Sequence, residues 1–352
     1  MQSKELNNSF INQINDNSSS PSTSELFESL LSGCREHYSI PSAAFTNYNV
    51  KRGLRNPDGT GVMAGITKIG NAHGYIINEG ERTSIEGELY YRGYNITDLI
   101  RGYVSEGRYG FEETAYLLFF GDLPTKKQLE DFDTLLDSYR YLPPRFTEDV
   151  IMKAPSISLM NKMASSVLSL YAYDENPDET SLENMLRQSM QLLARLPIIA
   201  AQSYAFNRSH FYGDSLNIHN PQLNMSTAQN FLRIMRPDCS FTEDEAKLLD
   251  LCLVLHAEHG GGNNSAFTCR VLSSWGSDTY SAIASAICSL KGPKHGGANI
   301  KVQEMFDCIK EGVSDWNDDD EISAFLERLL LGEVGDHSGL IYGMGHAIYT
   351  LS

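Results

Sequence analysis

Long apolar runs are missing from this 352-residue chain, and the longest, Ala115 to Phe120, has six residues. A membrane-spanning helix needs about 20, so no membrane span is expected. Basic residues are scarce. There are 28 Lys and Arg against 45 Asp and Glu, for a formal net charge of −17. That balance argues against nonspecific binding to nucleic acid or to an anionic membrane. Cysteine is sparse too: Cys34, Cys239, Cys252, Cys269, Cys288 and Cys308 lie far apart and include no C-x-x-C pair. Neither a zinc site nor a disulfide framework is expected, and buried thiols in a reducing compartment are. No basic segment followed by an apolar stretch opens the chain, and the first arginine is Arg35. Both facts argue against a secretory signal or an Arg-rich transit peptide, so the protein reads as cytoplasmic. Walker A, dinucleotide-fingerprint and G-x-S-x-G patterns are also absent, which removes three common chemistries.

A hydrophobic content of 41% with 21% charged residues marks a globular protein. Its length suggests about two domains. Residues 1–25 contain fourteen Ser, Asn or Gln, too little apolar surface to offset the entropy of ordering, and read as a disordered tail. Residues 51–97 are rich in glycine, with short β-prone runs such as Gly74-Tyr-Ile-Ile77 and Glu88-Leu-Tyr-Tyr91. They read as turns and small strands. Helical patterning begins near Thr97. Glu113 to Phe120 reads as a buried helix that Gly121-Asp-Leu-Pro-Thr125 ends. Ser226-Thr-Ala-Gln229 and Thr242-Glu-Asp-Glu245 have capping-box spacing. The helix after Thr242 is apolar on nearly every face and is expected deep in the core. Strand-like alternation is scarce after residue 100, so the fold class is mainly α.

The sequence has nine histidines, and the informative ones fall in three clusters. The first is Leu255-His-Ala-Glu-His-Gly-Gly-Gly-Asn-Asn-Ser265. His256 and His259, at i and i+3, share a helix face. The H-A-E-H spacing differs from the zincin H-E-x-x-H, yet a metal site stays open here beside a plain C-cap reading. The run of glycines before Asn263 and Asn264 suggests a close approach of backbone to a ligand. The second cluster is Gly292-Pro-Lys-His-Gly-Gly-Ala-Asn299. It sets His295 on a turn ahead of a helix N-terminus, whose dipole favours negative charge; an ordinary helix–helix turn is the plainer alternative. The third is Gly343-Met-Gly-His346, where Gly-x-Gly lets backbone amides approach an anion and the histidine can exchange a proton.

Taken in order, the three clusters resemble the citrate synthase family, particularly the longer bacterial form that makes citrate or 2-methylcitrate. The family's H-x-x-H-x-x-x-N, G-P-x-H-G-x-A-N and G-x-G-H segments match His256 to Asn263, Gly292 to Asn299 and Gly343 to His346. Asn71-Ala-His-Gly-Tyr75 and Glu86-Gly-Glu-Leu-Tyr-Tyr-Arg-Gly93 resemble its small β region, and Phe111 to Pro124 its next helix and turn. The resemblance runs from about residue 45 to 352.

The resemblance implies a citrate synthase-like large helical domain over residues 26–294, with a small N-terminal β element at about 60–95. Residues 295–352 are then the first part of a small helical domain. It implies condensation of acetyl-CoA with oxaloacetate and water to citrate and CoA, an acyl transfer; propionyl-CoA and 2-methylcitrate are the alternative. By motif, His295 stabilises the enol and His346 faces the ketone. His259 binds oxaloacetate beside Asn263. Gly343, Met344 and Gly345 lie along coenzyme A. His256 and Ser265 support the site, Ser265 by helping hold the loop that carries His295. No metal and no separate cofactor are implied, because the CoA thioester is itself a substrate. The implied partners are those two small molecules and a second copy of the chain, with no nucleic acid and no membrane.

Proton abstraction beside a thioester needs a base and a donor for the developing oxygen charge. The cations near the clusters in sequence are Arg270, Lys291, Lys294 and Lys301, few for two polyanionic substrates. The family's Asp-Pro-Arg segment and its catalytic aspartate follow the G-x-G-H, whereas this sequence ends at Ser352. Asp315 and Asp336 do not occupy the aspartate's place. A truncated chain, inactive alone, is therefore expected. An inactive dimerising fragment and a zinc hydrolase built on His256 and His259 are the other readings. Residues 303–336, with eleven acidic and two basic residues, read as a solvated acidic face.

Overall fold

A computed structural model describes residues 67–78, 81–260, 263–292 and 297–344, together with Ala43, Asn47 and Val62. The chain divides into residues 1–62 and 63–352, and every element below belongs to the second unit. The tail expected over residues 1–25 lies outside the described residues.

Three antiparallel strands come first: β1 (Gly70–Asn78), β2 (Glu81–Tyr91) and the short β3 (Tyr94–Asn95). Gly70 pairs with Tyr91 and Asn78 with Glu81, and a bulge interrupts the ladder between His73 and Tyr75. Every described element after this small sheet is helical, as the patterning predicts.

Side-chain caps set many of the helix starts. Asn95 caps α1 (Ile96–Ser105). α2 (Phe111–Phe120) ends at Gly121, and Thr125 with Gln128 forms the capping box of α3 (Lys126–Tyr139). A π-turn at Thr147–Met152 leads to α4 (Leu159–Leu170). The 31-residue α5 (Leu182–Tyr212) starts at Ser181 and carries Pro197 in its interior. Both capping boxes read from the sequence are formed: Ser226 and Gln229 open α6 (Thr227–Met235), and Thr242 and Glu245 open α7 (Glu243–Leu255). Each satisfies two backbone donors that a helix start leaves unpaired. α8 (Asn264–Ser273), α9 (Thr279–Leu290), α10 (Ala298–Gly312) and α11 (Asp319–Leu330) complete the described helices.

Helix α5 is the spine, with α3, α4, α6, α9 and the π-turn packed on it. Leu192 and Ile199 meet Phe146, Val167 and Tyr280 in one cluster; Met190 and Ala194 meet Ala115, Phe132 and Leu136 in a second. Ile198 and Ala201 meet Ile234 of α6. A separate cluster joins α10 to α11 through Met305, Ile309, Val313, Phe325 and Leu329, all between residues 305 and 329. The acidic residues read as a solvated face surround it. Four of them gather at the start of α11, where Asp318 is the N-cap and Asp319, Asp320 and Glu321 fill the first turn, a placement the helix dipole favours.

Two expectations need correction. α7 is not deep in the core: only Ala246, Asp250 and Val254 are buried, and Leu248 is 63% exposed. Its main helix partners are α2 and α6, so one face meets the core and the apolar residues opposite, such as Leu248, face outward. The five described cysteines are free, as expected, but none is buried; Cys252 and Cys288 are exposed. Cys252 lies on the outer side of α7, two residues before the buried Val254. Among the described residues no helix is long and apolar enough to cross a membrane.

Candidate active site

The first histidine cluster begins where α7 stops. His256 is the C-cap of that helix, and its Nδ1 donates to the Cys252 carbonyl at 2.7 Å. This is the capping role weighed against a ligand role. His259 is exposed on the turn that follows.

Asn263 is the N-cap of α8. Its Oδ1 accepts from the Ser265 amide at 2.7 Å, from the Ala266 amide at 3.2 Å and from the Ser265 hydroxyl. With the oxygen held by those donors, the Nδ2 end of the amide faces His259 and donates to its Nε2 at 2.7 Å. Nε2 is then the acceptor of the ring, and the proton sits on Nδ1. The asparagine thus sets the histidine's tautomer while starting a helix. The two histidines do not converge on a common point through these nitrogens, since one reaches back along α7 and the other toward α8. Among the described residues no group of three His, Cys, Asp or Glu side chains is placed to hold a metal.

The sheet holds this turn in place. Tyr91, fully buried, donates its hydroxyl to the Val254 carbonyl at 2.8 Å, with the Leu255 carbonyl at 3.2 Å, and accepts from the Glu258 amide at 3.2 Å. Next to it Arg92 has φ +51° and donates from Nε and Nη2 to the Leu118 carbonyl at 3.1 and 2.6 Å. The Tyr-Arg pair therefore ties the end of β2 to the ends of α7 and α2.

Pro293, Lys294, His295 and Gly296 of the second cluster lie outside the described residues. Their flanks are defined: the Gly297 amide donates to the Gly292 carbonyl at 3.1 Å, joining the two ends of the segment. Gly297 is the N-cap of α10, where the sequence places the start of that helix. Asn264 Nδ2 donates to the Ser289 carbonyl at 3.3 Å. That bond brings the start of α8, with the first cluster, to the end of α9, just before the second.

The third cluster starts against α10. Gly343 has φ +85°, and a Cβ there would lie 3.3 Å from Val302 Cγ2, so both backbone and space favour glycine. Tyr342 donates its hydroxyl to Asp336 Oδ2 at 2.7 Å. Met344 is 76% exposed. Gly345 and His346 lie outside the described residues.

Four details escaped sequence reasoning. Ser265 places its hydroxyl on Asn263, and Asn264 is the residue that reaches toward the second cluster. Tyr91 was legible in a β-prone run and in the segment that resembles the family's β region, but its hydroxyl contacts were not. Lys301, one of the few nearby cations, is paired with Glu304 at 2.8 Å and Asp336 at 3.6 Å.

Comparison with known proteins was made on sequence and on fold. The family model described as "Citrate synthase, C-terminal domain" matches residues 59–352. The chain is 33% identical to 2-methylcitrate synthase 1 of Corynebacterium glutamicum over 267 residues, covering 74% of this chain and 63% of that protein. It is 32% identical to the citrate synthase of Haloferax volcanii, covering 82% of this chain and 71% of that protein. The chain thus spans roughly two thirds of the length of these relatives. The crystal structure of citrate synthase from Pyrobaculum aerophilum superposes with a TM-score of 0.64 at 29% identity, over 85% of this chain and 69% of that one.

Proposed function

The chain belongs to the citrate synthase family, and on that premise we propose that the protein condenses acetyl-CoA with oxaloacetate and water, giving citrate and CoA. The observation that carries this reading is the His259–Asn263 contact. It leaves an N–H donor on His259 Nδ1 for the anionic 2-oxo acid, in a cluster that the Asn264–Ser289 bond ties to the end of α9. His295 serves as donor to the enolate oxygen that forms when the thioester loses its α-proton to a carboxylate base, a part that neither His295 nor His346 plays. His346 polarises the ketone and protonates its oxygen as the carbon–carbon bond closes. Preorganised donors of this kind contribute on the order of 10²- to 10³-fold each. Gly343 to Gly345 pass along the coenzyme. No metal and no further cofactor enters.

Residues 295–352 begin a second, smaller domain in this reading, supported by the separate α10–α11 cluster. The protein acts as a cytoplasmic homodimer. Its support is α8, which carries Phe267, Val271 and Leu272 yet buries none of its residues.

Acetyl-CoA is the preferred donor, with propionyl-CoA second because relatives described as 2-methylcitrate synthases match at 33% and 34% identity. The test is CoA release, followed with a thiol reagent, by the protein carrying these residues, with oxaloacetate and each thioester in turn. Faster release from propionyl-CoA would replace the donor. No release from either, with no calorimetric binding of oxaloacetate, would overturn the reading.

A further inference from the structure

His259 sits on a turn between α7 and α8, and a turn alone does not hold an imidazole in a fixed place. Tyr91, from the segment that resembles the family's β region, and Glu258, at an unspecified position of the H-x-x-H segment, do so here. They meet at one rung of the sheet, because Gly70, against which Glu258 lies, and Tyr91 are direct cross-strand partners. We propose that Tyr91 and Glu258 form a clamp that positions His259 for the 2-oxo acid, with Gly70 providing the space the clamp needs. This rests on the reading of His259 as the oxaloacetate ligand.

The Tyr91 hydroxyl is fully used. It gives its proton to the last turn of α7, where carbonyls lack intrahelical partners. It takes the Glu258 amide on its lone pair, one residue before His259. Burial, with the nearby Glu258 carboxylate, holds the Tyr91 pKa above the usual tyrosine range, so the proton stays on the donor. On the other side of His259, Glu258 Oε1 accepts the Gly260 amide. His259 is thus bracketed by two hydrogen bonds before Asn263 orients its ring. The Glu258 side chain lies against Gly70: a Cβ added to that glycine would stand 2.4 Å from Glu258 Cγ. The β1–β2 hairpin therefore sets where the histidine stands, and Tyr91 and Glu258 are positioning residues that need not touch substrate.

The clamp is tested with Tyr91→Phe, Gly70→Ala, Glu258→Leu and Glu258→Gln, the last of which keeps an acceptor for the Gly260 amide. The first readout is the pair of ring ¹⁵N signals of His259, assigned by their loss in His259→Gln, and it requires no turnover. The native ring should show a single tautomer with an acceptor Nε2. Tyr91→Phe, Gly70→Ala and Glu258→Leu should each give tautomer-averaged signals, and Glu258→Gln should restore the native pattern. The second readout is kinetic. KM for oxaloacetate should rise about tenfold in Tyr91→Phe, as expected for a displaced binding group, with KM for the thioester within about twofold of native. Unchanged ring signals, or an unchanged KM where the ring signals move, overturn the clamp. Should Tyr91→Phe not fold, the contrast between Glu258→Leu and Glu258→Gln decides. If the native protein neither releases CoA nor binds oxaloacetate, the functional reading fails, and the ring signals alone decide the clamp.

Discussion

Asp174 and Asp133 sit in one helical core, yet their carboxyls stand at opposite ends of the carboxylate range. Asp174, 2% exposed at its side chain, accepts from four groups: Arg187 on both oxygens at 2.7 and 2.9 Å, Tyr280 at 2.6 Å, Gln188 at 3.1 Å and the Asn176 amide at 3.0 Å. Burial by itself would raise its pKa. The bonds from Tyr280, the Asn176 amide, Arg187 and Gln188 outweigh burial and hold it at about 2. Asp133, on α3, faces the opposite supply. The buried guanidinium nearby, Arg140, is already shared by Asp137 at 2.8 Å, Thr227 at 3.2 Å and Glu112 at 3.6 Å. Asp133 Oδ1 has no hydrogen-bond partner. Burial, then repulsion from Glu112 and Asp137, lifts its pKa to about 7 against the attraction of Arg140. The comparison teaches that the supply of donors, more than depth, decides whether a core carboxyl of this protein is charged.

The largest effect should come from removing the well-supplied partner. Asp174→Ala leaves the Tyr280 hydroxyl without its acceptor and Arg187 without its counter-charge, while the Gln188 amide keeps the Asn176 and Pro177 carbonyls. A loss of about 3 kcal/mol is expected, the lower end for breaking a buried pair, because Arg187 is partly solvated. Urea unfolding at pH 7 measures it. A loss below about 1 kcal/mol would place the network among ordinary surface pairs. The pH sign follows from the lowered pKa. The stabilisation is present above the ordinary value of 3.8 and is lost as pH falls through about 2.

Asp133 should behave in the opposite sense. Its pKa is raised from 3.8 to about 7, so the folded protein holds this proton where the unfolded chain releases it. That contribution is present below the unfolded value and is lost as pH rises through about 7. Asp133→Asn stays neutral throughout. It should match the native protein near pH 4 and exceed it by about 1–2 kcal/mol at pH 8, a figure discounted for partial solvent access. Unfolding at both pH values is the check. A variant no more stable than native at pH 8 would show that the Arg140 guanidinium reaches Asp133 after all.

Neither acidic site was legible in the sequence, whereas much of the fold was. The Ser226 and Thr242 boxes were readable because a cap is a local hydrogen bond between residues three apart, and the start of α10 followed from its Gly-Gly turn. The burial of α7 was misread for the complementary reason. An apolar run states what a helix can bury; only its packing on α2 and α6 states which side does. At the candidate site, Asn263 was legible as a partner of His259. The hydroxyl of Tyr91 was not, since it meets Val254 from 163 positions away. Asp174 and Tyr280, 106 positions apart, are hidden in the same way. Pairings across such separations depend on how the helices dock around α5, and no periodicity encodes them.

Asp250 lies between the two extremes and should give the smallest effect. It is 1% exposed and has two donors, the Gly110 amide at 2.7 Å and the Phe111 amide at 3.1 Å. They belong to the start of α2, where the helix dipole also favours a negative group. Burial raises its pKa to about 6, with Glu112 adding to the rise and the two amides opposing it. Four donor groups, two, and an oxygen with none thus go with about 2, about 6 and about 7. Asp250→Asn removes the buried charge but has one oxygen for two amides that now bond separate oxygens, a loss of about 1 kcal/mol. Below the unfolded value of 3.8 the group is protonated in both states, so only that loss should show, and the variant should be the less stable protein. As pH rises from 3.8 to about 6, relief from burying the carboxyl should progressively offset it and bring the two within about 1 kcal/mol of each other above pH 6. A difference in unfolding free energy that stays constant from pH 5 to pH 8 would remove Asp250 from the series, and with it the link between donor supply and charge at the α2–α7 contact.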